Sequence, residues 1–333
     1  MKVLLVKTSS MGDLIHTLPA VTDAQRACPG IEFDWVAEEG FAEIPRWHSA
    51  VRRVLPVAMR CWRKKLYRKT TQREIGQAIR HIRERQYDFV IDAQGLIKSA
   101  MIARLGRGQR CGLDYKSCRE PIAALAYRKK IFVAKDLHAI VRVRRLFAEV
   151  LDYNYDSAGL NYGLRREDFS AGSHAGRYLV FLHGTSRPEK LWSLAEWTRL
   201  AGIAGQAGLT VYLPWGNRAE FRQAEEIGRQ AANAIVLPRM KLAEIAGLLA
   251  NAEGVVGVDT GLVHLAAALH VPAVSLYLVT SPVLTGTCGG NQISLSQMPV
   301  SGDRAPAAGL NIFFHRRLTA DLVWCYLQKN RNN

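Results

Sequence analysis

Short unbroken apolar runs alternate along this chain with longer stretches in which apolar residues recur every three or four positions. Residues 2–7 (KVLLVK) form the first run and predict a buried strand. A Ser/Gly-containing loop, Thr8 to Asp13, follows, and then a helix from about Leu14. Residues 33–37 and 89–92 predict further strands, and 74–85 and 137–151 predict helices. A polar stretch at 153–173 reads as a linker, after which the alternation restarts. Strands are expected at 178–182, 209–213, 254–258 and 273–277. Helices are expected at 194–206, 242–250 and 262–269, with a Glu/Arg-rich helix after 213 and a closing helix at 318–328.

Strands alternating with helices imply α/β domains with mainly parallel sheets. The pattern therefore predicts two such lobes facing a central cleft, where a ligand is expected. The length of 333 residues suits two domains, and 48% hydrophobic with 22% charged residues is ordinary for a globular protein. Only four apolar residues, Val3 to Val6, separate Lys2 from Lys7, too few for a secretory h-region. The best membrane-span candidate, 262–279, is interrupted by His264, His270 and Pro272. A cytoplasmic location is expected. The six cysteines are scattered without a Cys-x-x-Cys pair, so they read as free thiols and no metal site is predicted.

Charge changes the picture once it is located. The net +16 lies wholly within residues 51–150, which hold 25 Lys and Arg against 8 Asp and Glu. Three clusters stand out: Arg60 to Lys69, Arg128 to Lys130, and Arg142, Arg144 and Arg145. Cations this concentrated imply an anionic partner: nucleic acid, lipid headgroups or an acidic substrate. Aromatic residues are not interleaved through the clusters as a base-stacking surface requires, which argues against nucleic acid.

Candidate chemistry sits in three loops. The first has neither the G-x-G-x-x-G of a dinucleotide site nor a P-loop; it offers Asp13 at the end of the first strand. From spacing, Asp13 is either a helix N-cap or a general base. The second loop, His183-Gly184-Thr185-Ser186-Arg187-Pro188-Glu189-Lys190, brings hydroxyls, a glycine and a lysine together after a strand. That set suits phosphate oxygens, although an ordinary turn with a surface lysine has the same composition. In the third, a strand ends in Asp259-Thr260-Gly261 and runs into a helix carrying His264. A helix N-terminus favours negative charge, and His264 reads as either a ligand-facing or a core histidine.

Several segments together resemble one family. Val6 to Ala20 (VKTSSMGDLIHTLPA), Phe33-Asp34-Trp35-Val36, Asp92-Ala93-Gln94-Gly95-Leu96, the 183–192 loop, Leu213-Pro214-Trp215-Gly216, Leu237-Pro238-Arg239-Met240 and Val258 to Leu262 are similar, in order, to the lipopolysaccharide heptosyltransferases of glycosyltransferase family 9. The opening is more similar to the branch that adds the first heptose than to the second. The resemblance covers residues 1 to about 292.

The resemblance implies a GT-B fold. Residues 1–165 would form an acceptor-binding Rossmann-like lobe, 175–315 a donor-binding one, and 316–333 a closing helix and tail. It implies inverting, metal-independent transfer of heptose from ADP-heptose to the Kdo sugar of Kdo2-lipid A, with no cofactor. Asp13 would be the general base, and Lys190 would stabilise the leaving diphosphate with Thr185 and Ser186. Asp259, Thr260, Gly261 and His264 would hold donor phosphate and heptose, Glu220 the ribose, and Met240 would sit near the adenine. Arg60, Arg63, Lys64, Lys98, Arg119, His138 and Arg142 would serve the anionic acceptor. The surplus charge would hold the protein peripherally on the anionic inner leaflet. A related member with another sugar or acceptor is the nearest alternative. One departure falls at Leu278-Val279, where the family shows Gly-Pro, and residues 298–314 match poorly.

Overall fold

The computed structural model describes residues 1–157, 159–169, 176–185, 187–299 and 309–331. The chain divides into two compact units, Met1–Gly163 and Leu164–Asn333.

Unit 1 carries β1 (Lys2–Val6), β2 (Glu32–Glu38), β3 (Val51–Val57), β4 (Gln86–Asp92), β5 (Arg107–Leu113) and β6 (Lys129–Ile131). Among the described residues they form one parallel sheet in the order β3-β2-β1-β4-β5-β6. Its helices are α1 (Met11–Ile15), α2 (Leu18–Ala27), α3 (Glu43–Arg46), α4 (Met59–Trp62), α5 (Lys69–Arg83), α6 (Ile97–Leu105) and α7 (Ala139–Leu151). The apolar run of β1 is buried on both faces because helices cover both sides of the sheet. Leu4 and Val6 pack with Ile82 of α5 and Ile102 of α6. On the other face, Phe33 stacks on Phe147 of α7 at 6.0 Å.

Unit 2 repeats the plan. Its strands are β7 (Tyr178–Leu182), β8 (Thr210–Leu213), β9 (Ala234–Val236), β10 (Gly254–Val258), β11 (Ala273–Tyr277), β12 (Gln292–Ser296) and β13 (Asn311–Phe314). Among the described residues they are parallel in the order β13-β12-β11-β10-β7-β8-β9. The helices are α8 (Leu194–Gln206), α9 (Arg218–Gln230), α10 (Leu242–Ala250), α11 (Gly261–Ala268) and α12 (Ala320–Arg331). The core joins Phe181, Trp197, Val256 and Leu276, and the closing helix α12 adds Val323 and Leu327 to it.

In each unit the strand order reverses once, between β1 and β4 and between β7 and β10. The loops at the carboxyl ends of the strands beside such a reversal form the crevice where open α/β sheets bind ligands. Those four loops are Lys7–Asp13, 93–96, 183–190 and 259–260; all but 93–96 carry the candidate chemistry read from the sequence.

The polar stretch at 153–173 contains the division between units, yet its Tyr162 and Leu164 are buried, and Arg166–Phe169 forms a 3-10 turn. No described helix is long and apolar enough to cross a membrane. All six cysteines are free.

Candidate active site

The first loop shows that Asp13 is not the N-cap of its helix. The helix starts at Met11 rather than Leu14, its N-cap is Ser10, and Asp13 is the third residue inside it. Asp13 reaches back: its Oδ2 accepts from the Ser10 amide at 2.7 Å and from the Ser10 hydroxyl at 2.9 Å. This is the carboxylate half of a capping box. Oδ1 has no hydrogen-bond donor among the described residues, and the side chain is 41% exposed, so it is open to an incoming hydroxyl. Lys7 Nζ lies 3.8 Å from Oδ1 and donates to the Ala93 carbonyl at 2.9 Å. Burial pushes the Lys7 ammonium below its ordinary value, opposed by the nearby charges of Asp13 and Asp92.

Gln94, on the far side of the strand-order reversal, fixes the loop. Its Oε1 accepts from the Thr8 amide at 2.8 Å and the Thr8 hydroxyl at 2.9 Å, while Nε2 donates to the Ser9 carbonyl at 2.5 Å. The Ser9-Ser10 peptide in this loop is cis. Gln94 is in turn held by Asp92, whose Oδ1 accepts from the Gln94 amide at 2.8 Å and the Gly95 amide at 3.2 Å. Gly95 turns the chain at φ +67°, a conformation that favours glycine. Asp92 Oδ2 accepts from the Tyr127 hydroxyl at 2.7 Å. Burial raises the Asp92 carboxyl above its usual range, and Tyr127 and the backbone donors oppose it.

The acceptor candidates all lie at the carboxyl-end loops of the unit 1 sheet or on the helices they open. His138 caps α7, its Nδ1 accepting from the Ile140 amide at 3.2 Å, and its ring meets His16 edge-on at 5.5 Å. One turn on, Arg142 donates to the Ser117 carbonyl at 2.6 Å, and its Nε is buried without a partner among the described residues. Burial lowers the Arg142 guanidinium. The charges of Arg142 and exposed Arg119 both act to lower the Lys7 ammonium. Lys98 is half-buried in the first turn of α6. Arg60, Arg63 and Lys64 are exposed on α4 and the turn after it. Arg60 is anchored by its amide on Glu38 Oε1 at 3.0 Å, with its guanidinium 5.6 Å from the Phe41 ring centre. No contact among the described residues joins these three to Asp13. The third basic cluster does not form a surface group. Arg144 is buried and ion-paired with Asp23 at 2.5 Å, so it neutralises charge inside unit 1.

In unit 2, Asp259 is the hub. Its Oδ2 accepts from Lys190 Nζ at 2.6 Å and from Thr280 Oγ1 at 2.8 Å, and its carbonyl accepts from Thr185 Oγ1 at 3.2 Å. Three loops are thereby tied at one carboxylate, with the Lys190 and Asp259 side chains each 15% exposed. Thr260 is the N-cap of α11, Gly261 opens that helix, and His264 is buried within it. Glu220 accepts from the Gly216 amide and from Asn217 Nδ2, both at 2.7 Å. A Cβ on Gly184 would stand 2.5 Å from the Glu220 side chain, so glycine there lets the 183–190 loop approach Glu220. Met240 is half-buried in the loop after β9, which Trp215 Nε1 ties to the 214–217 loop through the Leu237 carbonyl at 2.7 Å. Ser186 lies outside the described residues.

Sequence reasoning assigned no role to Lys7, Gln94, Asp92 or Thr280. The signal for Thr280 was its place after β11, beside the loop that carries Asp259.

Chemically, unit 1 presents an accessible carboxylate oxygen beside a buried ammonium. Unit 2 presents a lysine, hydroxyls and a helix N-terminus, a set suited to a diphosphate leaving group. Comparison with known proteins agrees. Residues 75–304 match the model of "Glycosyltransferase family 9 (heptosyltransferase)". Lipopolysaccharide heptosyltransferase 1 of Pseudomonas aeruginosa is 51% identical over 296 residues, 89% of this chain and 83% of that protein. The structure of Escherichia coli heptosyltransferase WaaC with ADP superposes with a TM-score of 0.89 at 43% identity, covering 99% of this chain and 100% of that one. The same enzyme with ADP-2-deoxy-2-fluoro heptose gives 0.86 at 43% identity over the same shares.

Proposed function

The chain belongs to glycosyltransferase family 9, the heptosyltransferases, and on that premise we propose that it transfers heptose from ADP-heptose to Kdo of Kdo2-lipid A in lipopolysaccharide inner-core synthesis. The observation that carries this reading is the pairing of roles in the two units. An open carboxylate stands in unit 1, and a Lys190–Asp259–Thr280 cluster at the head of α11 stands in unit 2. The relatives described with ADP and with a fluoro-heptose analogue supply the donor class.

The step is one displacement. Asp13 Oδ1 takes the proton of the acceptor hydroxyl, whose oxygen forms the new bond to C1 of the heptose. The bond from C1 to the phosphate oxygen breaks, and its electron pair leaves with ADP. Attack opposite the leaving group inverts the centre, so a β-configured donor gives an α product. Lys190, with Thr185, meets the charge that develops on the diphosphate, and the N-terminus of α11 adds its dipole. Asp259 orients Lys190 and keeps its own charge paired until donor binds. With the phosphate charge carried this way, the step needs no divalent ion. Arg119, Arg142 and Lys98 take the carboxylates of the acceptor sugar, and Arg60, Arg63 and Lys64 its phosphates. Because that acceptor is a lipid, the protein works peripherally at the cytoplasmic face of the inner membrane.

The test is the stereochemistry of the product together with the base. The new linkage should be α by NMR, EDTA should leave turnover unchanged, and Asp13→Asn should reduce turnover by about 10²–10⁴ with ADP binding retained. A β linkage, or an Asp13→Asn variant with normal turnover, would overturn this mechanism.

A further inference from the structure

Large apolar side chains are unevenly exposed on unit 1. On one face of the sheet, α2 and α7 pack together and leave no large apolar side chain exposed among the described residues. The other face is built from α5 and α6, which pack on each other, and from the 3-10 turn Pro121–Ala126, which packs on α6. This layer exposes Leu66 at 50%, Tyr67 at 95%, Met101 at 66%, Ile122 at 65% and Leu125 at 79%, while Tyr115 and Phe132 are exposed in the loops after β5 and β6. Leu66 and Tyr67 form the tip of the turn leading into α5. Met101 follows exposed Ile97 by one helical turn, and Ile122 and Leu125 share one side of a 3-10 turn, where positions three apart eclipse. Large apolar side chains exposed beside polar ones mark surfaces that meet a protein or a membrane.

The same layer carries unpaired cations. Lys65, Arg68, Lys69 and Arg73 are exposed around the Leu66–Tyr67 tip, and Arg104 lies one turn beyond Met101. None has a carboxylate within salt-bridge distance among the described residues. By contrast, Arg144 on the opposite layer is consumed by Asp23. An aromatic and aliphatic tip ringed by cations fits the interface of an anionic bilayer. There tyrosine sits at headgroup depth and lysine or arginine meets lipid phosphate.

We propose that the α5–α6 layer, with the Leu66–Tyr67 tip and the Ile122–Leu125 turn, is the surface by which this protein docks on an anionic membrane. This deepens the reading of the acceptor as a lipid and rests on it. Docking by this layer brings Arg63 and Lys64, in the same turn as the tip, to headgroup level, where the phosphates of a membrane-borne acceptor lie.

The experiment is flotation of the intact protein with phosphatidylglycerol–phosphatidylethanolamine vesicles that hold neither donor nor acceptor. The variant Leu66→Ser/Tyr67→Ser/Leu125→Ser changes only exposed side chains outside the catalytic and substrate-binding sets. It should weaken vesicle binding by about tenfold or more. A second variant, Lys65→Glu/Lys69→Glu, should lose the preference for phosphatidylglycerol over phosphatidylcholine vesicles. Turnover on a deacylated, water-soluble acceptor should stay unchanged in both. Vesicle binding equal to wild type in both variants would overturn the proposal. So would loss of self-association, seen by sedimentation, with vesicle binding intact, because the layer would then be an interface between copies. These vesicles carry no substrate, so a wrong acceptor assignment would leave the binding result standing and show only in the turnover assay.

Discussion

Replacing Gln94 with alanine isolates the positioning of the base from its chemistry. Gln94 touches neither Asp13 nor any donor-loop residue among its hydrogen-bond partners; it holds Thr8 and Ser9, which lead into Ser10, the partner of Asp13. In Gln94→Ala the Thr8 amide and the Ser9 carbonyl lose their partners, and both residues are buried. Each stranded group costs about 1–3 kcal/mol. The loop recovers that energy by moving to where water can reach it, and Asp13 moves with it. A penalty of about 2–6 kcal/mol on the competent loop position corresponds to a fall in kcat of roughly 30- to 25,000-fold. Gln94→Glu keeps an acceptor for Thr8 but opposes the Ser9 carbonyl with another oxygen, so its loss should be intermediate. The assay is steady-state ADP release at saturating donor and acceptor. Calorimetric ADP affinity and thermal melting run beside it, and ADP affinity should be unchanged because the donor loops belong to unit 2. Normal kcat in Gln94→Ala would refute the argument that this side chain sets the Asp13 loop.

Lys190→Ala removes the cation from the Asp259 cluster and should weaken ADP binding by about 10- to 100-fold, the loss of one charge-assisted hydrogen bond. Calorimetry with and without magnesium checks this, and an unchanged ADP dissociation constant would take Lys190 out of the site. The triple change of Arg60, Arg63 and Lys64 to Ala should raise the acceptor KM and leave the donor KM in place. The wild-type acceptor KM should rise with salt, and the variant's should respond less; equal salt responses would contradict a phosphate-reading role. Stability should fall with acid through two buried histidines, one in each unit. His48 and His183 are both pushed down to about 4 by burial, so the folded state keeps them neutral while the unfolded chain gains protons below its ordinary value of 6.5. Their contribution is complete above that value and is lost as pH falls towards about 4, with a limiting slope of about 1.4 kcal/mol per pH unit for each histidine. Chemical denaturation between neutral and mildly acid pH reads this slope, and stability rising with acid would contradict the sign.

Much of the fold is legible in the sequence wherever a strand is buried on both faces. The runs at 178–182, 254–258 and 273–277 stand where the pattern puts them, because short apolar runs rich in Val, Leu, Phe and Tyr suit central parallel strands covered on both faces. Strands nearer the sheet edges escape that logic. β3 reads VRRVLPV, β5 reads RGQRCGL and β6 reads KKI, since side chains at such positions reach solvent and carry the cations of the basic block. The loops of the site were legible as places, but their wiring was not. Gln94 and Thr8 are 86 residues apart, and only the adjacency of β1 and β4 brings them together. In the sequence Lys7 ends an apolar run, yet it is itself buried, because the Ala93 carbonyl and the charges of Asp13 and Asp92 support its ammonium. Arg144 looked like one of a surface cluster, and helical periodicity turns it inward onto Asp23 while Arg145 stays outside.

The central claim is that this chain moves one heptose from ADP-heptose onto Kdo2-lipid A. The most direct test is the mass of the acceptor after incubation with purified protein and donor, with the Asp13→Ala variant run in parallel. The account predicts that the wild-type reaction adds the mass of a single heptosyl residue, that an acceptor lacking Kdo gains nothing, and that the variant gives almost no product. An acceptor left unmodified by the wild-type protein, or modified equally by the variant, would contradict it.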